Sequence, residues 1–340
     1  MDFNIDKLFL SPEFYPLSID FYSGTVTFVH LTRKRFIELP FHDHPNLENE
    51  SKAFNVKLDD LLALYKRQTP PQRSVNFIFH TAFCGSTLLG KYLENPGWTF
   101  VYREPAILTS LALLRFEPAS YTDQWQDIFE LMLALLSRTN SCNEVPIIKL
   151  HDGCSCIIDN LLSMNPDSKG LILYSDWHSF LVSILRNPYR RKWVRNRLKS
   201  TDFRKIDLLR NVNIHSLIDV EAAACLWLAQ IYTYLTALER QDRRLYNLDC
   251  CLLFQSPQKA LRAIIDYFCI SSSFEDIIDT LKRYERVHVK TGHKYDSKAR
   301  ARYNEFIGKI YKSEIRIAYE WIEKVTGESS LITELPLSIC

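Results

Sequence analysis

Five short apolar segments alternate with longer segments of helical character, and this alternation limits the possible folds more than any other feature of the chain. The segments are rich in Val, Ile, Phe and Tyr; they read VNFIFH, WTFVYR, VPIIKL, GLILYS and RRLYNL, at 75–80, 98–103, 145–150, 170–175 and 243–248. Strands separated by helices pair in parallel through right-handed crossovers. The pattern therefore predicts a three-layer α/β fold with a parallel sheet of about five strands.

The rest of the chain is organised around this predicted domain, which we place at residues 74–325. Residues 1–73 contain mixed short segments and end in the turn-rich QTPPQR, so they predict an N-terminal appendage and linker. Alanine and leucine in 216–240 favour a long helix, and a last helix is expected at about 297–325. Residues 326–340 are interpreted as a C-terminal tail. With 340 residues, 46% of them hydrophobic, the chain can bury a large core.

Composition excludes several classes of function. A net charge of +2 is too small to indicate a nucleic-acid-binding surface. The first residues lack the basic-then-apolar order of a signal peptide, and no apolar run approaches the roughly 20 residues that span a bilayer. We therefore expect a soluble, cytoplasmic protein without a nucleic-acid or membrane partner. The nine cysteines show no paired C-x-x-C spacing, which predicts reduced thiols and no metal, and His42 and His44 of FHDHP are interpreted as a surface turn.

One segment, FIFHTAFCGSTLLGKYL at 77–93, has the strand, loop and helix order of a phosphate-binding loop. In the nucleotide-triphosphatase pattern G-x-x-x-x-G-K-[ST], the lysine reaches the outer phosphates and the hydroxyl holds magnesium. Here His80 and Gly85 take the places of the two glycines, Ser86 replaces the lysine and Thr87 supplies the hydroxyl. A helix that starts near Ser86 directs its free amides into the loop. The segment thus predicts a site for a phosphate or sulfate that is not bound to a metal.

Ligands of open parallel sheets bind beyond the carboxyl ends of the strands, and here these ends are polar. The residues that follow the second to fifth predicted strands are Arg103 and Glu104, Lys149 and His151, Ser175 and Asp176, and Asp249.

Several of these segments resemble those of sulfotransferases. FCGSTLL at 83–89 is similar to the R-S-G-T-T-L-L type of 5′-phosphosulfate loop, and IIKLHDG at 147–153 is similar to I-I-K-T-H-L-P. SDWHSFLVS at 175–183 resembles R-N-P-x-D-x-x-x-S, and 245–268 resembles the Y-E-D-L stretch that closes the sheet in this family. The resemblance spans about residues 74–310 and keeps the order of the elements.

The resemblance implies a P-loop-like topology and a sulfuryl-transfer enzyme that needs no metal. The implied donor is 3′-phosphoadenosine 5′-phosphosulfate, and the implied acceptor is a hydroxyl or amine of an unknown small molecule or peptide. Catalysis would fall on His151 as the base, Glu104 as its rival and Lys149. The implied donor-binding residues are Cys84, Gly85, Ser86, Thr87, Leu88, Arg103, Ser175, Ser183, Lys290 and Gly292.

Two departures from the family pattern keep other functions open. Phe83 and Ser175 stand where the family has donor-binding cations, which Arg103, Lys149 or the basic segment 186–199 would have to replace. One alternative is a P-loop kinase that acts on a small molecule, with Asp249 as the only candidate magnesium ligand. Another is a catalytically degenerate binding module of the same fold.

The residues favour His151 over Glu104 as the base. Lys149 and His151 are alternate residues after one strand, so we expect both on one side of the sheet edge. Glu104 directly follows Arg103, whose cation is expected to lower its basicity.

Overall fold

The computed structural model describes residues 5–43, 47, 53–68, 73–114, 123–201, 206–241, 243–284, 297–327, 335–336 and 338–340, with the side chains of 297–301 outside this description. None of the helices within these ranges is both long and apolar enough to cross a membrane.

The N-terminal segment forms an antiparallel sheet of three strands in the order β1-β2-β3. Its elements are β1 (Phe14–Asp20), β2 (Thr25–His30), α1 (Arg33–Glu38), β3 (Ala53–Lys57) and α2 (Leu58–Gln68). The pairing of β1 with β2 shifts between Pro16 and Ser18, because a proline lacks the amide that the ladder requires. This segment and the larger sheet contribute residues to one continuous hydrophobic cluster.

The second sheet is parallel, with five strands in the order β5-β6-β4-β7-β8. Its strands are β4 (Asn76–His80), β5 (Thr99–Arg103), β6 (Val145–Lys149), β7 (Gly170–Tyr174) and β8 (Leu245–Asp249). Each lies within two residues of its predicted bounds, because a short, wholly apolar run is typical of a strand buried on both faces. The three-layer α/β prediction is thus confirmed.

Helices connect these strands. They are α3 (Ser86–Leu93), α4 (Ala106–Leu114), α5 (Trp125–Leu135), α6 (Ile158–Ser163), α7 (Trp177–Leu185), α8 (Pro188–Lys199), α9 (Asp219–Arg240), α10 (Cys250–Gln255), α11 (Pro257–Tyr267), α12 (Phe274–Tyr284), α13 (Ser297–Ile310) and α14 (Lys312–Thr326). A 3-10 segment, Asp152–Ile157, precedes α6. The last predicted helix is in fact two, because the backbone departs from helical geometry at Tyr311, where φ is −97° and ψ is 25°.

The larger sheet separates two hydrophobic clusters, as the period-2 alternation of strand side chains requires. Ile78 and Val101 face the cluster that includes α3, α11 and α12. Phe77 and Tyr102, their neighbours along the same strands, face the cluster that contains α4 to α9 and the N-terminal segment. This arrangement leaves the carboxyl ends of the strands as the edge where a site can form.

Candidate active site

The loop between β4 and α3 winds through two left-handed residues. Gly85, the N-cap of α3, has φ +88°, and Phe83 has φ +64°. A non-glycine residue in this conformation is strained, and such strain occurs at functional sites. Left-handed residues within a loop turn successive amides to one side and form concave anion sites.

The amides of this loop have no acceptor within the protein. No N–H from Ala82 to Leu88 donates a hydrogen bond to any residue that the structure describes, whereas the flanking Thr81 and Leu89 amides bond to Leu173 and Gly85. Four of the seven residues, Ala82, Cys84, Ser86 and Thr87, are buried. Buried amides almost always find a partner. Seven in succession at a helix N-terminus therefore make this loop a candidate anion site.

The side chains of the loop fall into two groups. The hydroxyls of Ser86 and Thr87 lie at the first turn of α3, where the amides are free. The Cys84 thiol is turned inward and donates to the Thr81 carbonyl at 2.8 Å, so this residue offers only its amide to an anion. The Phe254 ring covers Gly85 so closely that a Cβ there would lie 2.6 Å from it.

Arg190 of α8 brings positive charge to the loop. Its guanidinium carbon lies 4.3 Å from the centroid of the Phe83 ring, and Nη1 donates to the Ser183 carbonyl at 2.6 Å. Trp193 contacts the same ring edge-on, with centroids 5.1 Å apart. The basic segment 186–199 thus places a cation beside Phe83.

A buried ionic cluster lies at the carboxyl ends of β4, β5 and β6. The ammonium of Lys149, which is fully buried, donates to Oε1 of Glu104. His80 Nε2 lies 3.7 Å from the same oxygen and is buried without a hydrogen-bond partner among the described residues.

Neighbouring charges set the ionisation of this cluster. Burial disfavours the ionised form of Glu104, but Lys149 and then His80 outweigh burial and hold the pKa of its carboxyl well below the usual range. Burial and Lys149 lower the pKa of His80, yet its interactions with Cys84 and Glu104 prevail and raise that pKa to about 9. These directions favour the protonated imidazole of His80 and the ionised carboxylate of Glu104.

His151 and Asp43 lie beside this cluster. Partial desolvation and the Glu104 carboxylate raise the pKa of Asp43, and His151 and Lys149 are near enough to oppose that rise. His151 also acts electrostatically on Glu104. The structure therefore brings the three predicted catalytic residues, His151, Glu104 and Lys149, into one region.

Both ring nitrogens of His151 already have protein contacts. Nδ1 accepts from the Gly153 amide at 3.3 Å and lies 3.5 Å from Nη2 of Arg197. Nε2 lies 3.3 Å from Oδ1 of Asp152, and Oδ2 of the same carboxylate accepts from Arg197 Nε at 2.8 Å. An imidazole that accepts at Nδ1 carries its proton on Nε2. In this arrangement neither ring nitrogen is free to take a proton from a bound substrate.

Arg103 does not reach the loop. Its fully buried guanidinium binds Glu94 at 2.8 Å, His42 Nε2 at 3.1 Å and carbonyls of the N-terminal segment. The cations that lower the basicity of Glu104 are Lys149 and His80, and not Arg103 as expected. The surface-turn interpretation is wrong for His42, which is fully buried against Arg103; residue 44 lies outside the described residues.

The remaining predicted site residues are also accounted for. Ser175 and Ser183 are buried: the Ser175 amide donates to Thr81 Oγ1 at 3.0 Å, and Ser183 offers its carbonyl to Arg190. Asp249 caps α10 by accepting from the Cys251 amide at 2.7 Å. Lys290 and Gly292 lie outside the described residues.

Three residues of the region were not singled out as site residues from the sequence. His80 ends strand β4, directly before the loop. Its position at the first glycine of the loop pattern was the sequence signal that could have identified it. Arg190 was only one cation in a basic segment, and Asp43 is 61 positions before Glu104, so its proximity depends on the tertiary fold.

Comparison with known proteins finds similarity among solved structures of sulfotransferases. A sulfotransferase from Mycobacterium avium shares 12% identity, with 99% of this chain and 100% of that chain covered at a TM-score of 0.44. A sulfotransferase from Mycobacterium tuberculosis shares 15%, with 73% and 80% covered and a TM-score of 0.41. A sulfotransferase domain from the curacin biosynthetic pathway shares 13%, with 77% and 99% covered and a TM-score of 0.40. No family model and no curated protein matches the chain.

Proposed function

We propose that this protein transfers a sulfuryl group from 3′-phosphoadenosine 5′-phosphosulfate to a hydroxyl or amine of a small molecule or peptide. The observation that carries the proposal is the run of unpaired amides from Ala82 to Leu88, in a loop that has a serine in place of the phosphate-binding lysine. Such a loop suits an anion that arrives without magnesium.

The residues of the loop fit the donor. The free amides and the hydroxyls of Ser86 and Thr87 hold the phosphate and sulfonate oxygens, and Arg190 supplies the positive charge that Phe83 does not. Preorganised donors of this kind stabilise charge as it develops, which is the main source of rate in related phosphoryl transfers.

Glu104 is the base that this geometry favours. Among the described residues no donor is bonded to its Oε2, whereas both nitrogens of His151 have partners. Lys149 stabilises the bridging oxygen of the donor as its bond to sulfur breaks. As the ammonium turns to that oxygen, the Glu104 carboxylate loses the stronger of its two cationic partners and keeps His80, so its basicity rises and it can take the acceptor's proton. The acceptor oxygen or nitrogen meanwhile forms the new bond to sulfur.

Calorimetry with 3′,5′-adenosine bisphosphate, the product of the donor, tests the proposal. We expect saturable binding that does not depend on magnesium and that weakens at least tenfold in Thr87→Val, which removes a hydroxyl donor. ATP with magnesium is the control. Failure of the bisphosphate to bind at millimolar concentration would contradict the proposal, and magnesium-dependent ATP turnover would support the kinase alternative.

A second measurement distinguishes the two candidate bases. Transfer from 4-nitrophenyl sulfate to the bisphosphate releases coloured 4-nitrophenol and needs no knowledge of the natural acceptor. In this direction the base of the forward transfer returns a proton to the departing 4-nitrophenolate, so we expect Glu104→Gln to lower kcat more than His151→Gln does while it retains bisphosphate binding. The reverse ranking would return the role of base to His151.

One observation favours a second function, an anion-binding module without catalysis. Glu104 is ion-paired with Lys149, and His151 is held by Asp152 and Arg197, so each candidate base already has a protein partner. Such a module would bind the bisphosphate but release no 4-nitrophenol. Its affinity would be unchanged by alanine at both His151 and Thr87.

A further inference from the structure

A groove of about 770 Å³ lies apart from the phosphate-binding loop. One wall is the 3-10 segment Asp152–Ile157 with the start of α6, and the other is the second half of α9, with the end of α8 closing one side. This volume falls within the roughly 300–1,000 Å³ that is typical of ligand sites.

The side-chain amide of Gln230, on α9, has an unpaired oxygen in this groove. The residue is only 4% exposed, its Nε2 lies 3.5 Å from Oδ2 of Asp152, and its Oε1 has no hydrogen-bond partner among the described residues. The opposite orientation of the amide would place its oxygen against the Asp152 carboxylate, so the acceptor must be the atom left unpaired. A buried acceptor without a donor costs stability unless a ligand supplies one.

Other groups on the same helix also present acceptors. The Thr233 and Thr236 hydroxyls line the groove and donate to the carbonyls of Ala229 at 2.7 Å and Tyr232 at 2.9 Å. Each hydroxyl has thereby used its only proton, and its oxygen lone pairs remain to accept.

The cations of the groove are already paired with carboxylates. Arg197 Nε donates to Asp152 at 2.8 Å, and Arg240 lies 3.2 Å from Asp159. The face formed by Gln230, Thr233 and Thr236 therefore presents acceptors. An anionic ligand would bring further acceptors to this face, and an apolar ligand would leave Gln230 Oε1 unpaired. A ligand rich in hydroxyl donors satisfies both conditions.

We propose that the groove is a binding site for a polyhydroxylated, sugar-like ligand, recognised by Gln230, Thr233 and Thr236. This goes beyond the proposed function, because the groove is lined by residues outside the loop and its occupancy does not depend on sulfuryl transfer.

Saturation-transfer NMR with cellobiose at millimolar concentration tests this site. Per-O-methylated cellobiose is the matched probe, since it keeps the two-ring scaffold but has no hydroxyl donor. We expect saturation of cellobiose only, and an affinity about fivefold weaker in Thr233→Val, which removes one hydrogen bond. Thr326→Val, which alters a hydroxyl bonded in the same way to the Ile322 carbonyl of α14, should bind cellobiose like the wild type.

Gln230→Leu is the stronger variant, and we expect it to lose cellobiose binding. Circular dichroism establishes whether it folds, and if it does not, the threonine variants decide. Equal saturation of both probes, saturation of neither, or unchanged affinity in both Gln230→Leu and Thr233→Val would overturn the proposal.

Discussion

At the scale of single residues, cationic side chains from three different elements lie near the loop between β4 and α3. Lys149 ends strand β6, His80 ends β4, and Arg190 comes from α8. Lys149 and His80 share the single carboxylate of Glu104, whereas Arg190 lies against the uncharged ring of Phe83. Arg190 therefore brings a cation to the Phe83 side of the loop.

We predict that Arg190→Gln weakens the binding of 3′,5′-adenosine bisphosphate by about tenfold to a hundredfold, as expected when a hydrogen bond from a charged group, about 1.5–3 kcal/mol, is lost. Calorimetry measures this change. Arg191→Gln is the matched control, because Arg191 lies 5.2 Å from the Tyr311 ring and 4.0 Å from Asp219, in contacts that do not involve the loop. Equal losses in the two variants would indicate a general effect of net charge instead.

His80 gives a prediction for the pH dependence of stability. Its pKa is about 9 in the folded protein, above the usual value of 6.5, so protonation stabilises the fold fully below pH 6.5 and this contribution is lost as the pH rises through 9. The free energy of unfolding of the wild type exceeds that of His80→Asn by an amount that should fall by about 3 kcal/mol between pH 6.5 and pH 9. Urea unfolding at several pH values measures it, and an NMR titration midpoint near 6.5 for His80 would contradict it.

At the scale of elements, the turn from β4 into α3 depends on Gly85 for two separate reasons. Its φ of +88° is left-handed, and the Phe254 ring leaves no space for a Cβ. Gly97 offers a natural comparison, since its φ is +89° and a Cβ at that position would have no neighbouring atom within 4 Å. The two glycines share the backbone requirement, and only Gly85 has the steric one.

We predict that Gly85→Ala destabilises the protein more than Gly97→Ala does. Both substitutions place a side chain in the left-handed region, at roughly 1–2 kcal/mol, and Gly85→Ala must in addition displace Phe254. Thermal unfolding measures the difference, and the double variant Gly85→Ala with Phe254→Ala should recover the steric part. Equal destabilisation by the two single substitutions would show that Phe254 yields without cost.

The sequence predicted elements better than it predicted the partners of side chains. Wholly apolar runs specify buried strands locally, so the five strands and the start of α3 were found within two residues. The charge partners could not be found in this way. Arg103 was assigned to the donor because it follows a strand, but its position toward the N-terminal segment is decided by contacts with residues more than 60 positions away.

At the scale of the whole molecule, the N-terminal segment is joined to the larger sheet through a buried network. Arg103 of β5 donates to the carbonyls of Phe36 and Leu39, and Glu94 binds both Arg103, at 2.8 Å, and Arg33, at 2.6 Å. Aromatic contacts accompany it, with the rings of Phe36 and Phe100 4.6 Å apart. The prediction that residues 1–73 are an appendage can be tested against this network.

We predict that deletion of residues 1–73 prevents the remaining chain from folding cooperatively. The deletion removes Arg33 and the carbonyls that Arg103 needs, and the loss of one partner from a buried ion pair alone costs about 3–5 kcal/mol. That is a large part of the roughly 5–15 kcal/mol by which a typical domain is stable. Near-ultraviolet circular dichroism and urea unfolding measure the outcome.

Glu94→Gln in the full-length chain provides the matched point substitution, because it leaves Arg103 and Arg33 without their shared carboxylate while every other contact of the N-terminal segment is kept. We expect it to lower the free energy of unfolding by about 3 kcal/mol without loss of cooperativity. If the shortened chain instead unfolds in one sharp transition and binds 3′,5′-adenosine bisphosphate as the full chain does, residues 1–73 are an appendage. In that case the buried network attaches the segment to a domain that folds without it.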